Sequence, residues 1–257
     1  MRLSQYRRLH DAAVLARKPF YNIGSGDFSH PYWTNIDYDS DWYRAVQRDV
    51  LYHDLMSLAA LPVADSCAKL VYTSHTIEHV SETAVWHLFA EAFRILEPGG
   101  IIRIVAPDAA LAFDALRRND AEWFNHVDEC DINHATDTVD ASLADSWLHG
   151  LATPLSRLSK SPQVAKLTEA QIRAAIVDKG FPAVLDHFCA MVHFDAARPG
   201  CHISWWTPDK VMQGLRTAGF STVYRSGWQQ SASPLLRNPD LFDSTLPEIS
   251  LFVEAMK

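Results

Sequence analysis

The chain has little positive charge and no long apolar run. Its 257 residues include 23 Lys or Arg and 31 Asp or Glu, so the formal net charge is −8. The longest basic cluster is Arg7-Arg8, which is too small to bind a phosphate backbone, and we therefore expect no nucleic-acid partner. No apolar run approaches the roughly 18 residues that a transmembrane helix needs, so we expect no membrane partner. The N-terminal segment is charged throughout and does not resemble a signal peptide.

Paired cysteine motifs are also lacking. The cysteines are widely spaced, and none belongs to a C-x-x-C pair: Cys67, Cys130, Cys189 and Cys201. This spacing predicts neither a zinc knuckle nor a redox motif. We therefore expect a reduced, cytoplasmic location.

The apolar pattern predicts strands that alternate with helices, an order typical of a Rossmann-like, doubly wound α/β sheet with parallel strands. The predicted strands cover residues 19–23, 33–36, 50–55, 68–73, 101–105, 222–225 and 249–254. Helical segments are predicted over residues 3–16, 41–47, 81–96, 109–118, 140–151, 168–179 and 207–218. The chain is long enough to bury the core of one such domain.

Residues 109–203 interrupt the alternation with helical stretches that are broken by Thr153-Pro154 and Ser161-Pro162. We therefore predict an α/β core made of residues 1–108 and 204–257. The helical insertion, residues 109–203, is expected to act as a substrate lid, and it can also mediate a homodimer.

The most informative motif is Asn22–Gly26 (Asn-Ile-Gly-Ser-Gly), in which the first predicted strand runs into a glycine turn. Glycine permits the positive φ angles and the close backbone approach that a nucleotide-like ligand needs. Asp37 ends the next strand, and a carboxylate there can accept hydrogen bonds from both ribose hydroxyls. The two features together predict a cofactor that contains a nucleoside.

In the order of the chain, this motif and several others resemble the class I S-adenosylmethionine-dependent methyltransferases, specifically the type-11 group with its small-molecule enzymes. The segments that carry the resemblance are Asn22–Gly26, Trp33–Asp37, Asp54-Leu55, Ser74–His79, Arg94–Ile104 with its Glu-Pro-Gly-Gly turn, Ala218–Phe220 and Phe252–Lys257. Two positions depart from the family pattern, because Asn22 replaces the usual acidic residue and Phe28 occupies the third glycine position.

This resemblance implies that the chain binds S-adenosylmethionine. Gly24 and Gly26 would approach the amino-acid end of the cofactor and Asp37 the ribose. Asp54 would accept a hydrogen bond from the adenine amino group, and Leu55 would supply a neighbouring backbone N–H. Alternatively, Asp54 only caps a turn. The predicted cofactor-binding residues are Asn22, Gly24, Ser25, Gly26, Asp37, Tyr38, Asp54, Leu55, Ser74 and His75, the last two near the sulfonium.

NAD is the weaker choice of cofactor. A dinucleotide site needs a third glycine that opens a helix, whereas Ser29 occupies this position and Pro31 follows soon after.

A base is needed if the acceptor is a hydroxyl group, and histidine suits this role near neutral pH. The candidates are His75, then His202 and His193 in the late part of the insertion; packing or a hydrogen bond to the backbone is the alternative role for His75. His202–Trp206 is interpreted either as the edge of a substrate pocket or as an anchor for the insertion.

A metal site is the remaining alternative at this motif. Ser74–His79 resembles the Glu-x-x-Glu-His segment of metal-assisted methyltransferases that act in quinone biosynthesis or on RNA ends, with His75 in place of the first glutamate. Because Glu-His also occurs here in type-11 enzymes without a metal, we predict no metal.

The sequence therefore predicts transfer of a methyl group to an oxygen or nitrogen of a small-molecule acceptor. The alternatives are a metal-assisted O-methyltransferase, a non-enzymatic cofactor-binding sensor or interaction protein, and an enzyme acting on RNA or protein, of which the negative charge disfavours RNA.

Overall fold

The computed structural model describes residues 3–40, 49–124 and 141–257. The turn predicted over residues 41–47 and the first residue of the helix predicted over 140–151 lie outside these ranges. The chain forms two compact units. One contains Met1–Ile77, Glu82–Ala106 and Pro208–Lys257, and the other contains Glu78–Ser81 and Pro107–Thr207. The role of the helical insertion as a lid stays a prediction.

The first unit is built on a seven-stranded sheet with the order β3-β2-β1-β4-β5-β7-β6. Parallel pairing joins β1 to β2, β1 to β4, β2 to β3 and β4 to β5. The predicted α/β fold class is confirmed. The strands are β1 (Phe20–Ile23), β2 (Trp33–Asp37), β3 (Val50–Tyr52), β4 (Ala68–Ser74), β5 (Leu96–Pro107), β6 (Thr222–Arg225) and β7 (Ser250–Met256).

One edge of the sheet departs from the parallel pairing, because β6 runs antiparallel to β7. A parallel connection needs a crossover, usually a helix. Residues 226–249 between these strands contain short 3-10 turns and no α-helix, so β7 returns alongside β6 in the opposite direction.

Helices of the first unit are α1 (Leu3–Leu9), α2 (Ala12–Ala16), α3 (Glu82–Ile95) and α8 (Pro208–Thr217). The single helix predicted over residues 3–16 is wrong, because Asp11 begins a new helix by accepting the Val14 N–H at 2.8 Å. The second unit contains α4 (Ala109–Arg118), α5 (Leu143–His149), α6 (Glu169–Lys179) and α7 (Ala183–Cys189).

Two predicted strand boundaries are also wrong. β3 ends at Tyr52 rather than at residue 55, because a 3-10 turn over Leu55–Ser57 follows. β5 begins at Leu96 rather than at residue 101. The Glu-Pro-Gly-Gly segment is held by the C-terminus, since Gly99 N–H donates to the Lys257 carbonyl at 2.8 Å and Lys257 N–H donates to the Gly100 carbonyl at 3.0 Å.

Each unit has its own apolar core. Alternate residues of a strand face opposite sides of the sheet, so Leu70 and Tyr72 lie on one side and Val71 on the other. The cluster on the Leu70 side contains Tyr6, Leu15, Phe20, Trp33, Leu70, Tyr72, Ile101, Val105, Leu235, Leu236, Phe242 and Phe252. The second unit buries Phe113, Leu116, Phe124, Trp147, Leu148, Leu151, Leu155, Ile172, Leu185 and Phe188.

A buried ion cluster fixes the C-terminal segment to β5. Arg103 is fully buried and donates to both carboxylate oxygens of Asp243, with Nη2 2.5 Å from Oδ2, and to Oε1 of Glu254 at 2.9 Å. Burial raises the pKa of Tyr224 to about 12, so its hydroxyl stays protonated and donates to Oε2 of Glu254 at 2.5 Å.

Candidate cofactor-binding site

The glycine turn after β1 has the backbone that the sequence predicts. Gly24 and Gly26 have φ angles of 69° and 53°, which disfavour residues with a Cβ atom. Gly24 N–H donates to the Ile36 carbonyl at 2.9 Å, which joins the turn to β2. A Cβ atom on Gly24 would lie 2.1 Å from Oγ1 of Thr76, so this position has no room for a side chain.

The carboxylate of Asp37 closes this turn. Its Oδ2 accepts from Gly26 N–H at 2.7 Å and from the Ser25 hydroxyl at 3.4 Å, and its Oδ1 accepts from Tyr38 N–H at 2.7 Å. A carboxylate offers about four acceptor positions, so these bonds leave capacity for further donors. Asp37 therefore organises the turn and can still accept from ribose hydroxyls.

The strand registers align the carboxyl ends that carry the predicted residues. Ile23 pairs with Ile36, so the turn at Gly24 begins beside Asp37. Asp37 in turn pairs with Tyr52 of β3, and His53 N–H donates to the Asp37 carbonyl at 2.8 Å. Parallel α/β sheets bind ligands outside these strand ends.

Asp54 caps the 3-10 turn that follows β3. Its Oδ1 accepts from Met56 N–H at 2.8 Å, which is the capping role considered from the sequence. Leu55 occupies the first position of this turn, where the helix itself does not satisfy the N–H group. A contact to adenine would use Oδ2 of Asp54 and this N–H, and it stays a prediction.

Asn22 and Ser25 are both buried, with 4% and 6% of their surface exposed. Asn22 lies in β1 opposite Asn35 of β2, whose amide donates to the Phe28 carbonyl at 2.6 Å and so fixes the end of the glycine loop. The predicted contact of Asn22 with the cofactor is untested.

His75 follows Ser74 at the end of β4 and has a φ of 49°, which is unusual for a residue with a side chain. Its Nε2 lies 2.8 Å from Oγ of Ser250, and that hydroxyl donates to the Leu246 carbonyl at 2.7 Å. Because a hydroxyl has a single proton, Nε2 of His75 must be the donor to Ser250. In the neutral ring, Nδ1 is then the nitrogen that carries the lone pair.

The other histidine candidates belong to the second unit. Nδ1 of His202 lies 2.8 Å from the Gly150 carbonyl, and the backbone N–H of His202 donates to Oγ1 of Thr153 at 2.9 Å. His193 is exposed, and its backbone exchanges two hydrogen bonds with the Gln163 side chain. Trp206 is only 1% exposed, which favours a packing role over the edge of an open pocket.

Sequence reasoning missed Thr76 and Ser250 as supports of the site. Thr76 lies inside a motif that was noted for its charged neighbours, and nothing in the sequence shows that it packs on Gly24. Ser250 is 175 positions from His75, and only the fold brings them together.

The residues of the first unit fit an adenosyl cofactor. A Cβ on Gly26 would meet no atom within 4 Å, so space is open at the tip of the turn. Asp37 is half-buried and retains acceptor capacity beside that space.

Comparisons with known proteins agree with the resemblance seen in the sequence. The model of a family described as a methyltransferase domain, type 11, matches residues 27–104, a span that includes Asp37, Asp54 and His75. No curated protein matched the chain. Within residues 3–40, 49–124 and 141–257, no helix is both long and apolar enough to cross a bilayer.

Three crystal structures of S-adenosylmethionine-dependent methyltransferases are similar to the chain at low identity. The apo form of SibL shares 14% identity over 99% of this chain and 55% of that chain, with a TM-score of 0.40. The Archaeoglobus fulgidus protein shares 12% over 99% and 92%, with a TM-score of 0.42. The Mesorhizobium loti protein shares 14% over 93% and 90%, with a TM-score of 0.43. The chain thus spans just over half the length of SibL.

The family match covers β2 to β4 and most of β5. The strand order of the sheet agrees with the predicted fold class. Over residues 27–104, the chain is thus similar to a methyltransferase domain of the type-11 group.

Proposed function

We propose that the protein transfers a methyl group from S-adenosylmethionine to an oxygen or nitrogen of a small-molecule acceptor. The observation that carries the proposal is the bond from Gly26 N–H to Asp37 Oδ2 at 2.7 Å, because it holds a glycine turn and a carboxylate together at adjacent strand ends. When bound, the cofactor supplies an electrophilic methyl group on a sulfonium.

In this proposal, residues of the first unit bind and orient the cofactor. Gly24 and Gly26 let the backbone approach the ligand, and Asp37 accepts hydrogen bonds from the ribose hydroxyls. Thr76 supports the turn by packing against Gly24. Such positioning is the main contribution to a displacement of this kind, since it holds donor and acceptor near attack distance.

His75 is the first candidate for a base. Its Nε2–H is held by Ser250, so the ring is oriented and Nδ1 is the nitrogen that would take a proton from an acceptor hydroxyl. His202 and His193 are the alternatives. An amine acceptor that is already neutral needs no such base.

The net charge of −8 favours a small acceptor over RNA. The rival functions are a sensor that binds the cofactor without turnover and an enzyme that acts on protein.

Two measurements separate these functions. Calorimetric titration with S-adenosylhomocysteine tests binding, and the release of S-adenosylhomocysteine from S-adenosylmethionine tests turnover with a panel of small phenols, alcohols and amines. We expect binding and turnover with at least one member. Binding with no turnover on any acceptor supports the sensor, and turnover only on RNA or protein contradicts the small-molecule assignment.

A further inference from the structure

Glu78, His79 and His202 form a compact group in the second unit. One ligand atom from each, a carboxylate oxygen or an imidazole nitrogen, lies within 4.8 Å of the other two. Oε1 of Glu78 is 3.8 Å from Nε2 of His79, and the two imidazole centroids are 4.8 Å apart with their planes at 69°.

The hydrogen bonds of both histidines fix the same ring nitrogen as a donor. Nδ1 of His79 lies 3.3 Å from the Cys201 carbonyl, and Nδ1 of His202 lies 2.8 Å from the Gly150 carbonyl. A carbonyl oxygen only accepts, so Nδ1 carries the proton in each ring. Nε2 is therefore the lone-pair nitrogen of each neutral imidazole, the arrangement that backbone carbonyls impose on metal-binding histidines.

The backbone holds the ligands in place before any ion binds. The Glu78 carbonyl accepts from Ile203 N–H at 2.8 Å and from Ser204 N–H at 3.2 Å. The backbone N–H of Thr153 donates to the His202 carbonyl at 3.0 Å, and the Thr153 hydroxyl accepts from the backbone N–H of His202 at 2.9 Å. The two segments that carry the ligands are thus tied to each other and to the start of a 3-10 turn.

The burial of Glu78 favours a cation at this place. Its surface is only 2% exposed, and a carboxylate so far from water is stable as an anion only beside positive charge. A bound divalent cation supplies such a charge.

We propose that Glu78, His79 and His202 bind one divalent transition-metal ion, with a carboxylate oxygen and the two Nε2 atoms as ligands. Two imidazoles and one carboxylate suit Zn²⁺, Co²⁺, Mn²⁺ or Fe²⁺ better than Mg²⁺ or Ca²⁺.

Ligand atoms around a tetrahedral ion are roughly 3.4 Å apart, so the observed spacing needs only a small movement of the side chains towards one another. Three protein ligands leave a coordination position open for water or another oxygen ligand. The site goes beyond the proposed methyl transfer and does not depend on it, and it reopens the metal alternative that the sequence disfavoured.

The test is a titration of the chelator-treated full chain with Co²⁺, followed by its visible absorption and by equilibrium dialysis. The proteins compared are the wild type, Glu78→Gln, His202→Gln and a matched control, His187→Gln, which makes the same chemical change at a partly exposed helix position. We expect one ion per chain in the wild type and the control, and a dissociation constant raised at least about tenfold in the other two variants.

A second readout guards against misfolding of a variant. Co²⁺ should raise the thermal midpoint of the wild type and of His187→Gln, and it should leave that of Glu78→Gln unchanged. Binding well below one equivalent in the wild type, or wild-type affinity in Glu78→Gln, would overturn the proposal. Strong thiolate charge-transfer bands would do the same, because they would assign the ion to a cysteine.

Discussion

Thr76 packs against Gly24 so closely that no side chain can be added there: a Cβ on Gly24 would lie 2.1 Å from Oγ1 of Thr76 and 2.7 Å from its Cβ. The residue after His75 thus supports the turn after β1 and fixes the distance between two strand ends that carry predicted cofactor ligands.

Gly24→Ala should therefore lower the free energy of unfolding by about 2–4 kcal/mol, from the positive φ together with the overlap. Adding Thr76→Gly to Gly24→Ala should recover the part of the lost unfolding free energy that is due to the overlap between the new methyl group and the Thr76 side chain. Urea unfolding of the single and double variants measures both effects. Equal stability of the single and double variants would contradict the packing described for Thr76.

Gly26→Ala is the matched comparison, because its φ is also positive but its Cβ meets nothing within 4 Å. We expect a stability loss of only about 1 kcal/mol from the backbone angle. Its affinity for S-adenosylhomocysteine should fall clearly, since the added methyl group enters the open space at the tip of the turn. Full affinity in Gly26→Ala would place the ligand elsewhere.

The buried Arg103 gives a stability prediction that is independent of the cofactor. Arg103→Ala leaves the carboxylates of Asp243 and Glu254 buried without their cation, and we expect a loss of about 3–5 kcal/mol in the free energy of unfolding. Arg118→Ala, which removes an exposed ion pair with Asp114, should cost at most about 1 kcal/mol. Similar losses in the two variants, measured by denaturant unfolding, would contradict this role of Arg103.

His30 predicts how stability depends on pH. Burial lowers its pKa from 6.5 to about 4, and within the described residues its Nε2 has no hydrogen-bond partner. Between pH 4 and 6.5 the unfolded chain thus binds a proton that the folded chain does not, so stability should fall as the pH falls through this window.

His30→Phe should flatten this dependence, because it removes the titratable imidazole and keeps an aromatic ring at the position that packs on Tyr6. The slope of the unfolding free energy against pH should decrease by up to about 1.4 kcal/mol per pH unit near pH 5. Burial also lowers the pKa of His10 and of His53, so the informative quantity is the difference between the wild type and the variant. Parallel curves for the two proteins would show that His30 is protonated equally in both states.

Local patterns were enough to predict the fold class and the glycine turn. Buried strands, a turn that needs positive φ and a carboxylate at the end of β2 are all properties of short segments. The fold joins Gly26 to Asp37 at adjacent strand ends.

Features that depend on distant partners could not be predicted in this way. The sequence gives no sign that Arg103 meets Asp243 and Glu254, which are 140 and 151 positions away, or that Ser250 orients His75. The early start of β5 depends on pairing with the last residue of the chain. The grouping of Glu78 and His79 with His202 was likewise invisible, because the two segments meet only through the folded backbone.

Calorimetric titration of S-adenosylhomocysteine into the wild type, Asp37→Ala and Asp240→Asn tests the proposed cofactor site most directly. Asp240 is exposed, so its variant controls for the loss of one negative charge. We predict that Asp37→Ala weakens binding by about 1–3 kcal/mol, because the hydroxyl groups of the ligand lose a charged acceptor, while Asp240→Asn binds like the wild type. An unchanged dissociation constant for a folded Asp37→Ala protein would contradict the assignment of this carboxylate to the cofactor.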